Sequence, residues 1–105
     1  MDLVKEIYQL TQGFPVDERF GLVSQMRRSS ISIPSNIAEG FRRNANKEFA
    51  RFVSISMGSG AELETQIEIA MRLGYLSEEK GMIVLSEAEE VMRILNAFRS
   101  SLLSS

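Results

Sequence analysis

Three stretches of this chain repeat apolar or small residues at alternating steps of three and four. Val23, Met26, Ser30, Ile33, Ile37 and Gly40 form the first stripe. Phe49, Val53, Ser56, Gly60, Leu63, Ile67 and Ala70 form the second, and Val84, Ala88, Val91, Leu95, Phe98 and Leu102 the third. This heptad spacing returns one side of an α-helix to the same neighbour every two turns. The pattern predicts an all-α chain whose helices meet along continuous seams.

Punctuation between the stripes sets the expected boundaries. A shorter first helix, about 2–12, carries Leu3, Ile7 and Leu10, and Gly13 and Pro15 stop it. Its pattern is already running at Leu3, which leaves little room for a cap, so the natural helix is expected to start earlier, with Met1 inside it. Asp17 is the expected N-cap of a second helix over about 17–42. Asn44 or Asn46 caps a third over about 47–73, and Ser77 a fourth over about 77–103, with Glu78 and Glu79 at its positive end. A second stripe on the third helix, Phe52, Ile55, Ile69 and Leu73, predicts that this helix is covered on two faces and is the most buried. Its glycines, Gly58 and Gly60, each cost roughly 1 kcal/mol relative to alanine. Close helix–helix approach is the reading favoured over a hinge or ligand contact, with Ser56 and Gly60 facing Ser30 or Gly40.

Pro34 interrupts the first stripe. Inside a helix a proline removes one hydrogen bond and clashes with the carbonyl four residues back, at about 3 kcal/mol. The helix either kinks near Ser30 or breaks and restarts with Ser32 as cap. The stripe stays in phase across Pro34, which favours one kinked helix, with Ser29, Ser30 and Ser32 available to rebond freed carbonyls. Four segments with short connections predict a single domain, 1–105, folded as an antiparallel up-down-up-down four-helix bundle. Its first helix is half the length of the others. Apolar surface on its partners is then left uncovered, which points to an intermolecular contact or to a missing N-terminal extension.

Composition narrows the chemistry. The chain has no histidine and no cysteine. The commonest general base, the usual nucleophile–base pairs and thiolate metal ligands are therefore lacking. Glu62, Glu64, Glu68, Glu87, Glu89 and Glu90 fall mostly off the apolar stripes and read as a solvated face rather than a metal site. Glu62 is the exception, sharing a stripe with Ile55 and Ile69, where an arginine of another helix or subunit is a fitting partner. No enzyme, catalytic residue, cofactor or metal is expected. No apolar run is long enough to span a membrane and no signal-peptide pattern opens the chain, so a cytoplasmic protein is expected.

Charge is polarised. Residues 19–51 hold seven basic and two acidic residues, while the segments on either side are acidic and the whole chain carries −2. Arg27, Arg28, Arg42, Arg43, Lys47 and Arg51 are the candidate nucleic-acid-binding group, since clustered cations recognise phosphates. The opposing reading is helix-end charge and local salt bridges, which the sequence pI of about 5.2 favours.

Several strings in this chain are familiar together: Phe14-Pro15, Glu18-Arg19-Phe20-Gly21-Leu22, Gln25-Met26-Arg27-Arg28, Ser32-Ile33-Pro34-Ser35-Asn36-Ile37-Ala38-Glu39-Gly40, Lys47-Glu48-Phe49, Glu62-Leu63-Glu64 and Leu73-Gly74-Tyr75-Leu76. With these, residues 3 to about 76 resemble the bacterial four-helix-bundle family, also called the 23S ribosomal RNA intervening-sequence protein family. The resemblance implies four antiparallel helices and a barrel-like homopentamer. It also implies a relation to the accessory variability protein of diversity-generating retroelements, which is basic, binds nucleic acid and works with a reverse transcriptase. This chain departs from that pattern in being acidic overall and in having no tryptophan. The expectation is a self-assembling bundle that binds RNA or DNA. The alternative is a structural or protein-interaction oligomer that binds none.

Overall fold

The computed structural model describes residues 2–104. Four α-helices account for most of them: α1 Asp2–Thr11, α2 Leu22–Phe41, α3 Asn46–Arg72 and α4 Glu78–Leu103, with a 3-10 turn at Val16–Glu18 before α2. The described residues measure 46 × 24 × 18 Å, an elongated body little longer than α3 itself. α3 packs along both α2 and α4, and the short α1 lies against α2 and α4. No helix is long and apolar enough to cross a membrane, among the described residues.

The second helix begins later than Asp17 predicts. Pro15 starts a tight turn in which Glu18 N–H bonds the Pro15 carbonyl and Arg19 N–H bonds that of Val16. The chain swings at Gly21, and α2 starts at Leu22. Its first donor is met by the Glu18 carboxylate, which accepts from Leu22 N–H at 3.2 Å. The other Glu18 oxygen accepts from the Tyr75 hydroxyl at 2.8 Å, tying this helix start to the α3–α4 connection. That connection follows expectation: Gly74 adopts φ +77, and Ser77 accepts from Lys80 N–H. At α3 the cap position falls on Ala45, and no side chain takes the role predicted for Asn44 or Asn46.

α2 continues unbroken through Pro34. Polar groups gather on that turn. The Ser30 hydroxyl donates to the Arg27 carbonyl and Asn36 Nδ2 to the Ser32 carbonyl, both within α2. Ser56 of α3 donates across the seam to the Ile33 carbonyl at 2.8 Å, and Ser59 donates to Ser32 Oγ. The Ser30 hydroxyl bonds a carbonyl, but that of Arg27 rather than the Ser30 carbonyl that Pro34 leaves without its donor. Ser32 Oγ serves as an acceptor for Asn36 and Ser59 instead of rebonding a carbonyl; Ser56 is the donor that arrives from outside the helix.

The predicted seams form the core. Leu3, Ile7, Met26, Ile33, Val53, Leu63, Ile67, Val84 and Ala88 are all buried. α3 contributes the most buried positions. Its second stripe is only partly covered: Phe52 is buried, but Ile55, Ile69 and Leu73 are exposed. The glycines divide. A methyl on Gly40 would meet Phe49 Cδ1 and Phe52 Cβ at 2.7 Å, so the missing side chain sets the α2–α3 approach. Gly60 faces the flexible Met92 of α4 rather than α2, and Gly58 faces nothing. Gly40→Ala is expected to cost about 1–3 kcal/mol, since Phe52 Cβ cannot swing aside. Gly58→Ala is expected to stabilise by about 0.5–1 kcal/mol. Chemical denaturation of both variants checks the pair; equal effects would refute the packing described.

α1 meets α4 at a carboxyl pair. The Glu6 pKa is pushed up from the usual 4.5 to about 7, first by its hydrogen bond with Glu87, then by burial and by the charges of Glu87 and Asp2. Glu6 thus keeps its proton in the folded chain after the unfolded chain has lost it. Stability is full below about pH 4.5 and declines as pH rises towards 7. Glu6→Gln retains a donor towards Glu87 and removes this titration. Its melting temperature is expected to match the parent's in acid and to exceed it increasingly as pH climbs through that window.

Candidate nucleic-acid interface

The six candidate cations do not form one patch. Arg27 is drawn inward against α1. Its Nε donates to Thr11 Oγ1 at 3.0 Å, a second nitrogen to the Tyr8 carbonyl at 3.4 Å, and the guanidinium lies 4.5 Å from the Tyr8 ring centre. Thr11 is itself anchored by donating to the Ile7 carbonyl. Arg27 therefore clamps the end of the short helix and is occupied structurally. Arg28, on the exposed side of α2, lines a polar cleft with Gln25, Ser32, Ser59, Glu62 and Gln66.

The remaining four gather where α2 turns into α3. Arg42 is the C-cap of α2, where a cation also complements the helix dipole. Arg43 and Arg51 flank Phe52, with guanidinium carbons 4.9 and 4.7 Å from its ring centre. Lys47 stands one helical turn before Arg51 and makes no ion pair among the described residues. Arg43 pairs with Glu39 and Arg51 with Glu48, both at 2.8 Å within the reach of a single turn. The Arg51 hydrogen bond holds the Glu48 carboxyl below its usual range. Such exposed pairs are screened by water and open readily to a stronger anion.

Beside this basic end runs an apolar groove of about 910 Å³, formed by Pro34, Ile37, Phe41, Phe49, Leu95 and Phe98 with Arg42 on its rim. Phe41 is 75 % exposed. Phe49 stacks edge-on against both Phe41 and Phe98, at 6.2 and 5.1 Å between ring centres. Ile37, Phe49 and Phe98 belong to the predicted seams, yet here the seam stands open. The short first helix predicts apolar surface left uncovered on its partners, and the groove is such a surface; periodicity identifies the face a residue sits on but not the level at which its cover ends.

The opposite charge collects elsewhere. The Glu64 carboxyl lies above its usual range, first through burial and then through Glu89 and Glu68, which marks an acidic seam between α3 and α4. Glu62 makes no ion pair with any described residue. The polar cleft was also missed in sequence reasoning. Its signal was Gln66, seven residues after Ser59 and flanking the inner stripe.

Arg27→Ala is expected to cost about 1–2 kcal/mol by loss of the Thr11 and Tyr8 contacts. Lys47→Ala is expected to stay within about 0.5 kcal/mol. Urea unfolding of each separates a clamp from a free cation.

A family model described as 23S rRNA-intervening sequence protein matches residues 1–97. No curated protein matches the chain.

Proposed function

The chain belongs to the 23S rRNA-intervening sequence protein family, and from that premise we propose that it is a cytoplasmic, non-enzymatic bundle that self-assembles and binds RNA or DNA. The observation that carries this reading is the juxtaposition at one end of the molecule. Arg42, Arg43, Lys47 and Arg51 stand beside an open apolar groove that includes the exposed Phe41. The groove is the self-association surface in this reading, and the cations are the phosphate-facing group. Arg27 leaves that group, because its donors are committed to α1. Arg28 contacts nucleic acid only if the strand extends along α2.

The helices run up-down-up-down in this reading, with a bend at Pro34. Contacts in opposite order support the antiparallel arrangement: Ser32 with Ser59, Ile33 with Ser56, and Gly40 with Phe49. A closed ring, five copies in the form the resemblance implies, would repeat the basic end around one axis. Single weak phosphate contacts then add by avidity despite the acidic total charge. A reverse transcriptase is the partner enzyme that the resemblance suggests.

The second reading is an oligomer that binds no nucleic acid. The Arg43–Glu39 and Arg51–Glu48 pairs favour it, since they neutralise half of the basic end.

Light scattering and fluorescence anisotropy with labelled RNA and DNA test both parts. The expected result is a mass of several chains and binding that falls steeply between about 50 and 200 mM salt. Lys47→Glu with Arg51→Glu is expected to abolish binding without changing the mass, and Phe41→Glu to break the assembly. No retention at low salt, with the assembly intact, would leave the second reading standing.

A further inference from the structure

The polar cleft between α2 and α3 has a volume of about 320 Å³. The register that sets Ser32 against Ser59 places Arg28 opposite Glu62 and Gln25 opposite Gln66, one and two turns further along. Arg28 and Glu62 carry opposite charges and face the same space, yet they make no ion pair with each other. Gln66 is only 9 % exposed, and its Oε1 is buried without a hydrogen-bond donor among the described residues. Buried acceptors in folded chains almost always have a partner, so an orphan at the wall of a cleft marks the place of an absent donor. The cleft thus presents a cation on one helix and, on the other, an anion beside the amide of Gln66, whose oxygen is buried behind the wall.

We propose that this cleft binds a small zwitterion of the α-amino-acid class. Its carboxylate pairs with the Arg28 guanidinium, a planar fork suited to that group. Its ammonium pairs with the Glu62 carboxylate, and a turn of the Gln66 amide end towards the cleft lets Oε1 accept from it as well. A simple anion is repelled by Glu62 and a simple cation by Arg28. A nucleotide is disfavoured for two reasons: its phosphate would sit beside Glu62, and no aromatic ring lines the cleft for base stacking. The volume lies at the small end for ligand pockets, which fits a single free amino acid rather than a peptide. The inference is independent of the basic end and of assembly; only Arg28 is common to both readings.

Titration calorimetry and amide NMR on the full chain test it. The probes are the free proteinogenic amino acids, their amine-only and carboxylate-only analogues, and nucleoside monophosphates. The expected result is saturable binding of at least one amino acid, one per chain, shifting the amides of Arg28, Glu62 and Gln66. Each single-charge analogue is expected to bind at least about tenfold more weakly. Arg28→Gln and Glu62→Gln, both at exposed positions, are expected to weaken binding to the same degree while leaving the melting temperature of the ligand-free chain little changed. Gln66→Leu is expected to abolish binding and to raise the ligand-free melting temperature, because the orphan acceptor is gone. Three results would each overturn the proposal: no binding up to about 10 mM, equal binding of single-charge analogues or nucleotides, or concentration-dependent shifts showing that a second copy fills the cleft.

Discussion

The approach of α2 to α3 is the contact on which the other helices depend. It is made close by absence and by hydroxyls. Gly40 lets Phe49 and Phe52 lie against the α2 backbone, and Ser56 and Ser59 bridge to Ile33 and Ser32. Pro34 directly follows Ile33, so α3 is bonded to α2 beside the point where the backbone ladder lacks a donor. A donor from α3 reaches a carbonyl on the turn that proline disturbs. The carbonyl that Pro34 leaves without its helical donor is that of Ser30, four residues back, so the Ser56 bond to Ile33 adds a tie across the seam and does not replace the bond proline removes. α4 then closes the other side of α3, and α1 covers what it can of α2 and α4.

What α1 can cover decides the surface chemistry. Ten residues reach about 15 Å, roughly half the span of α2. Over that length the core is sealed and Arg27 locks the helix end. Beyond it the seam opens into a groove lined by Phe41, Phe49 and Phe98. The exposed apolar rings and the basic turn share one end of the molecule because the same loop, between α2 and α3, carries both.

Charge separation follows the helix pairing. Basic residues collect at the α2–α3 turn, and carboxylates press together along α1–α4 and α3–α4, where Glu6 and Glu64 are driven towards their protonated forms. A net charge of −2 therefore describes neither end. The polar cleft occupies the middle ground, with one free charge of each sign and a buried acceptor between helices.

Helix number, type and core were legible because heptad spacing is a local property: Val53, Leu63, Ile67 and Val84 could occupy no other face. Turn chemistry was legible at Gly74 and Ser77 and misjudged at Asp17, where Pro15 and Gly21 imposed a separate turn, Gly21 took the cap position and Glu18 accepts from Leu22 N–H. The basic residues were visible as a composition; their sorting was not, since Arg27 and Lys47 look alike in sequence and differ only in whether Tyr8 and Thr11 lie within reach. An uncovered apolar surface followed from the short first helix, but the position of the groove and the whole of the cleft belong to the tertiary structure. Periodicity assigns a residue to a face, whereas coverage depends on how far a neighbouring helix extends, and the satisfaction of Gln66 depends on what stands three-dimensionally opposite it.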